Sequence, residues 1–242
     1  MRIGTVKQIW RYAVKSMAGE QLTSCTVGTL GIPADRGWVV RDQATDQIIT
    51  GSRLPMLMQC EARYSESPSN GSIPHVLMRF PNGVELASDT EGVNTRLSEL
   101  FERGVSLTSL TSVAGANDPQ ATHFDAFPIH VLTTSSLETM RRLNPEAMWD
   151  VRRFRPNFLI ETDAGVEGLV EFDWTSVRLG SVELKCEVPT ERCAMATNAQ
   201  REIPKDPSIL RSLVENADQN LGVYASVLKT GAVRVGDVVE VN

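Results

Sequence analysis

Polar and apolar residues alternate from Gly4 to Tyr12, which predicts a strand with Val6, Trp10 and Tyr12 on one face. Gly37 to Arg41 and Ile48 to Thr50 flank the turn-rich run Asp42 to Asp46 and predict a hairpin. A second hairpin is predicted where Val76, Met78 and Phe80 lead into Pro81-Asn82-Gly83 and then Val84 and Leu86, with Asn-Gly expected to supply the positive φ angles of a primed turn. Helical spacing takes over at Val93, Leu97, Leu100 and Phe101, with Asp89 as the expected cap and Gly104 as the expected left-handed C-terminal residue.

Thr111 to Gln120 holds turn formers and no apolar period, so a division is expected there, giving residues 1–118 and 119–242. Ile129 to Leu132 then reads as a buried strand, and Ser135 with Glu138 as a capping box for a helix carrying Leu137, Met140 and Leu143. Strands are predicted at Phe158 to Ile160, Val177 to Leu179 and Val182 to Val188, the last two joined by Gly180-Ser181. A helix from Pro207 to Val214 precedes strands at Tyr224 to Leu228, Ala232 to Val235 and Val238 to Val241. Many short strands with few short helices predict an α+β, predominantly β, barrel-rich protein.

At roughly 150 residues per domain, 242 residues make one large domain or two small ones. The formal charge of −6, from 24 basic and 30 acidic side chains, disfavours binding to nucleic acid, so any anion site must be local. No apolar run approaches the roughly 20 residues of a spanning helix, and Met1 to Trp10 builds no signal-peptide core, so no membrane association and a cytoplasmic location are expected. Cys25, Cys60, Cys186 and Cys193 are scattered and read as reduced thiols. Cys186 and Cys193 stand too far apart for a zinc knuckle, and the dinucleotide, P-loop and hydrolase-elbow fingerprints are missing. His75, His123 and His130 lack metalloprotease spacing and are expected to be structural or at the surface. Asn70-Gly71-Ser72 has no meaning as a glycosylation acceptor without a secretory route, and Glu167, Glu171 and Asp173 read as a solvated face.

Five segments carry more specific chemistry. Lys15 and Ser16 at the end of the first strand form either an oxyanion grip or a plain strand end. Arg36, on the turn Asp35-Arg36-Gly37-Trp38, is either held by Asp35 or free to clamp a ligand. In Phe154-Arg155-Pro156-Asn157, a guanidinium and an amide two residues apart would share a face and could read a flat heterocycle. Cys193, in Glu191-Arg192-Cys193, is either a small core residue or an accessible thiolate favoured by Arg192, and a thiolate is a soft ligand. Tyr224, in Leu221-Gly222-Val223-Tyr224, can donate one hydrogen bond while its ring packs.

These segments, together with Tyr12-Ala13-Val14-Lys15-Ser16 and Val235-Gly236-Asp237, resemble the MOSC family in the same order and with comparable spacing over nearly the whole chain. The resemblance implies an N-terminal β-barrel-like region followed by a MOSC-type β-barrel. It extends to mitochondrial amidoxime-reducing components and bacterial N-hydroxy-compound reductases. It implies a molybdenum with a pyranopterin, the molybdenum cofactor, with Cys193 as metal ligand and catalytic thiolate. Lys15, Ser16, Arg36, Arg155, Asn157, Arg192 and Tyr224 match the cofactor contacts, with Ser135 or Ser136 as a further one. The implied activity is reduction of an N-hydroxylated or N-oxidised small molecule, with electrons from a separate donor protein. A cofactor or sulfur carrier without turnover, or a fold that has lost its metal, are the other readings. The chain departs from the family pattern at Ala13, at Glu191, which is expected to point away or pair with Arg192, and at Asn198-Ala199-Gln200.

Overall fold

A computed structural model describes residues 1–68, 73–110 and 125–242. The predicted junction Thr111 to Gln120, the division at 118, His123 and Asn70-Gly71-Ser72 lie outside the described residues.

Seven strands close into a barrel. In spatial order they are Phe158–Thr162, Ile129–Thr133, Asn220–Lys229, Val182–Glu191, Ser176–Leu179, Val238–Val241 and Arg2–Arg11, which pairs back to Phe158–Thr162. Closure leaves no edge in the ring, and its interior is filled by branched side chains such as Val6, Ile160, Val177, Leu184 and Val223. The neighbouring strands Phe158–Thr162 and Ile129–Thr133 are parallel, so a crossover must join them, and helix α2 (Thr134–Leu143) lies in it; α1 is Val93–Phe101 and α3 is Ser208–Ala217. A protein dominated by strands with three α-helices among the described residues is the fold class expected.

The first strand bends that alternation. A bulge between Val6 and Gln8 shifts its register against Phe158–Thr162, so Ile9 is buried and Trp10 only half-buried. The expectation that Val6 and Trp10 share a face fails for this reason.

The rest of the first half packs around Val14, Val40, Leu57, Met78, Leu97 and Phe101. One small sheet pairs Trp38–Asp42 with Val105–Ser109, and another orders Glu61–Tyr64, Val76–Arg79 and Glu85–Ala87. Parallel bridges Val14↔Trp38 and Ala18↔Glu61 run the chain after the first strand between these sheets. The division between the halves is not linear in space. The first strand belongs to the barrel of the second half, and Ser24–Val27 pairs with Gly231–Arg234.

Several local expectations change. The true partner of Trp38–Asp42 is Val105–Ser109, and Ile48 makes only a bridge to Arg41. The Pro81-Asn82-Gly83 turn has positive φ at Gly83 alone (81°), and the Phe80 N–H bonds the Val84 carbonyl at 2.9 Å. Proline fixes its own φ near −65°, which suits a type I turn followed by a left-handed glycine instead of a primed turn. Helix α1 starts after Gly92 and ends at a left-handed Glu102, with Gly104 beyond it. Helix α2 is capped by Thr133, whose Oγ1 accepts the Ser136 N–H, so the capping box is not at Ser135 and Glu138.

Glu171 is the largest departure. It is 0% exposed, not solvated, and accepts hydrogen bonds from Thr133 Oγ1 at 2.8 Å and Ser136 Oγ at 2.6 Å. Burial pushes its carboxyl upward, and the two hydroxyls only partly offset this. No helix among the described residues is long and apolar enough to cross a membrane.

A raised carboxyl in the folded state favours the protonated protein, so its contribution to stability is complete below the unfolded-state value and is lost as pH rises through the folded-state value. Glu171→Gln keeps an acceptor for both hydroxyls and has no proton to lose. As pH rises above about 5, urea denaturation should show the wild type losing more stability than this variant.

Candidate functional site

The first strand ends where the two halves meet, and a buried carboxylate organises the seam. Asp35 Oδ1 accepts the Tyr12 N–H at 2.8 Å, while Oδ2 accepts Asn157 Nδ2 at 3.0 Å and the Arg36 guanidinium. Tyr12 donates its hydroxyl to the Pro156 carbonyl at 2.9 Å. Two guanidiniums lie over its ring, Arg36 at 4.9 Å and Arg155 at 4.0 Å from the centroid, an arrangement in which π faces stabilise cations. Asn157 completes the seam by accepting the His130 N–H through Oδ1 at 3.0 Å.

The irregular backbone follows from this crowding. Ser16, Arg36 and Arg155 have φ of 71°, 55° and 53°, values that non-glycine residues adopt only when their surroundings hold them there. At Arg155 the left-handed turn, followed by Pro156, breaks strand alternation. Arg155 and Asn157 therefore do not share a face as the spacing predicts, and the strand starts at Phe158. Gly222 has a clear reason of its own: at φ 82°, a Cβ there would lie 2.2 Å from His130 Nε2.

A cavity of about 90 Å³ opens at this seam. It gathers Lys15, Ser16, Arg36, Arg155, Arg192, Cys193 and Tyr224. Asn157 does not line it and supports it from behind through Asp35 and His130. Ser135 faces a different hollow, of about 590 Å³, whose wall balances Lys7 and Arg141 against Glu138, Asp150 and Asp163. Ser136 is turned inward onto Glu171. Reasoning from sequence did not single out Asp125, His130 and Arg153 as part of the wall. For Arg153 the run Arg152-Arg153-Phe154-Arg155 was a visible signal; for Asp125 and His130 there was none.

Around the cavity, five cations (Lys15, Arg36, Arg153, Arg155, Arg192) face two acids, Asp125 and Glu191. Lys15 Nζ bonds Asp125 Oδ1 at 2.6 Å. Burial raises the Asp125 carboxyl, but Lys15, Arg36 and Arg155 together hold it below the usual range. Burial also works against the charge on Arg36, and Asp35, Asp125, Tyr12 and Tyr224 together more than restore it. At Arg155, burial with the repulsion of Arg36 prevails and brings it down to about 10. His130 is pushed down to about 3 by burial and by Arg192, so it is neutral. The Tyr224 hydroxyl is raised by burial and by Asp125, so it keeps its proton. Glu191 is turned aside: its Oε1 accepts Gln219 Nε2 at 3.1 Å and does not pair with Arg192.

Two buried donors in this wall lack a partner, Arg155 Nη2 and Arg192 Nε. One other nitrogen of each is spent on a main-chain carbonyl: Arg155 Nη1 on Met17 at 2.5 Å and Arg192 Nη2 on Phe154 at 2.8 Å. An unpaired buried donor is costly, and an oxygen acceptor on a bound anion is the kind of group that relieves it. Cys193 is exposed at the same cavity, whereas Cys25, Cys60 and Cys186 are at least half-buried, each thiol pushed up to about 12 by burial. The arrangement can hold an anion beside an accessible sulfur.

The sequence profile of the MOSC domain matches residues 118–240, and that of the MOSC N-terminal beta barrel domain matches residues 3–110. Mitochondrial amidoxime reducing component 2 of Rattus norvegicus is 27% identical over 289 residues, spanning 98% of this chain and 83% of that protein. Molybdenum cofactor sulfurase of Drosophila willistoni is 32% identical over 80 residues, spanning 32% of this chain and 10% of that protein. Among solved structures, the YUAD protein of Bacillus subtilis superposes with a TM-score of 0.52 at 15% identity, over 100% of this chain and 96% of that one, a likeness of fold.

Removing Asp35 strands a buried guanidinium and two donors. Asp35→Ala should therefore cost about 3 kcal/mol of stability in urea denaturation. Tyr12→Phe, which gives up one hydrogen bond and leaves the Pro156 carbonyl unpaired, should cost about 1 kcal/mol.

Proposed function

This chain belongs to the MOSC domain family, and we propose that it is a molybdenum-cofactor oxidoreductase that reduces N-hydroxylated or N-oxidised small molecules. The observation that carries this reading is the convergence of exposed Cys193 with two unpartnered guanidinium donors in one cationic cavity. A thiolate beside donors for acidic oxygens is the set that a metal with an anionic organic ligand requires. The names of the relatives, an amidoxime reducing component and a molybdenum cofactor sulfurase, support the same choice.

In this reading Cys193 is the protein's ligand to the metal. Lys15, Ser16, Arg36, Arg155 and Arg192 hold the acidic oxygens of the cofactor, and Tyr224 offers its phenolic proton to an acceptor. Asn157 keeps Asp35 and the main chain of His130 in place, and Ser135 is left out because it opens onto the other hollow. The molybdenum cofactor, when bound, supplies two-electron chemistry at the metal. Overall, an N-hydroxylated substrate takes up two electrons and two protons and leaves as the amine or amidine plus water, the electrons coming from a separate donor protein. The exposure of Cys193 lets a small substrate approach from solvent. Residues 1–118 and 119–242 form the two units of the proposed enzyme, the site lying at their seam. A reducing compartment such as the cytoplasm belongs to the same reading, because Cys193 must remain a thiol.

Protein produced in a molybdenum-replete host should carry metal and pterin, and Cys193→Ala should lose at least roughly tenfold of its molybdenum. Equal metal in both proteins would remove Cys193 from the site. The loaded wild type should reduce a hydroxylamine-type substrate with an artificial electron donor. A persulfide on Cys193 with no turnover would select a carrier instead.

A further inference from the structure

Arg153 is 0% exposed, yet its guanidinium forms no salt bridge among the described residues. Its donors go to main-chain carbonyls on three separate segments: Nε to Met148 at 2.9 Å, Nη1 to Ala196 at 3.2 Å, and Nη2 to Pro204 at 2.8 Å. A buried cation without a carboxylate is expensive, and a hydrophobic residue of similar volume would fill the space at lower cost. Its retention therefore calls for a task that an apolar side chain cannot perform.

The bonded segments indicate the task. Cys193 begins the short 3-10 turn Ala194–Thr197, closed by the Ala196 N–H on the Cys193 carbonyl at 3.1 Å. Arg153 grips the Ala196 carbonyl in that turn, and with Pro204 and Met148 ties it to the chain on either side. Arg153 itself ends the turn Val151–Arg153, two residues before Arg155, and both line the cavity that holds Cys193. The planar fork suits this, since three of its nitrogens reach three loops at once. Asp150 and Asp206 act on it only through space and do not reverse the effect of burial, which lowers its proton affinity.

We infer that Arg153 is a positioning residue for Cys193, a clamp that fixes the turn carrying the thiol against the cationic wall of the cavity. The inference rests on the reading of Cys193 as the sulfur that the site uses. Hydrogen exchange of the metal-free protein, followed by mass spectrometry, tests it together with the rate of Cys193 alkylation by iodoacetamide.

In Arg153→Met, which fills the volume without the fork, exchange across residues 193–204 should rise roughly tenfold. The barrel strands should exchange as in wild type, and alkylation of Cys193 should change severalfold. Arg153→Lys, with a charge but no fork, should fall between the two proteins. A folded Arg153→Met with unchanged exchange and alkylation would overturn the inference, as would a rise spread evenly over turn and barrel. If Arg153→Met does not fold, the lysine variant is judged by the same criteria. Neither readout needs molybdenum, so an equal metal content in wild type and Cys193→Ala would defeat the proposed function and leave the clamp standing.

Discussion

The site depends on one buried carboxylate. Asp35 belongs to the first half of the chain, but its oxygens hold the main chain at Tyr12, the guanidinium of Arg36 and the amide of Asn157 in the second half. Those contacts hold the Tyr12 ring against both Arg36 and Arg155. Two cations that would repel each other in a small space thereby share a π system that each can favour. Asp35 itself does not line the cavity, where Asp125 and Glu191 are the acids among five cations. A protein of net charge −6 can in this way present a local positive field.

The same crowding explains the backbone. Ser16, Arg36 and Arg155 all adopt left-handed φ, and all three line the cavity. Strain of this kind costs on the order of 1 kcal/mol per residue and survives only where surrounding contacts fix the conformation. Here those contacts are the Arg36 N–H on the Tyr12 carbonyl at 2.6 Å, the Lys15 N–H on the Trp38 carbonyl at 2.8 Å, and the Arg155 guanidinium on Met17. Regular strands would point alternate side chains to opposite faces; irregular backbone lets residues from several distant segments face one cavity.

Much of the strand order was legible, because period-two alternation and turn residues mark short strands directly. The motif residues were legible by type: a cation beside a hydroxyl at Lys15 and Ser16, and a cysteine after a strand beside Arg192. Their mutual placement was not, because it is decided by long-range contacts such as Asp35 to Asn157, which no local pattern encodes. Glu171 was misread since an acidic residue carries no sign of burial unless its partners, Thr133 and Ser136, are already known to be close. The bulge after Val6 and the proline-directed turn at Pro81 show the other limit: one extra residue or one fixed φ overrides a periodicity that is otherwise correct.

The first strand lies between Phe158–Thr162 and Val238–Val241, with Thr5 opposite Val238. Both neighbours come from far along the sequence, so the ring shuts only when distant segments meet. Such pairings are entropically slow to form, and until they do the apolar interior stays open to water and to other chains. Tyr12, which continues directly from that strand, meets Arg155 and Pro156 only when Phe158–Thr162 pairs with it. Assembly of the cavity therefore follows closure of the ring, so a cofactor would be received by a barrel that has already shut.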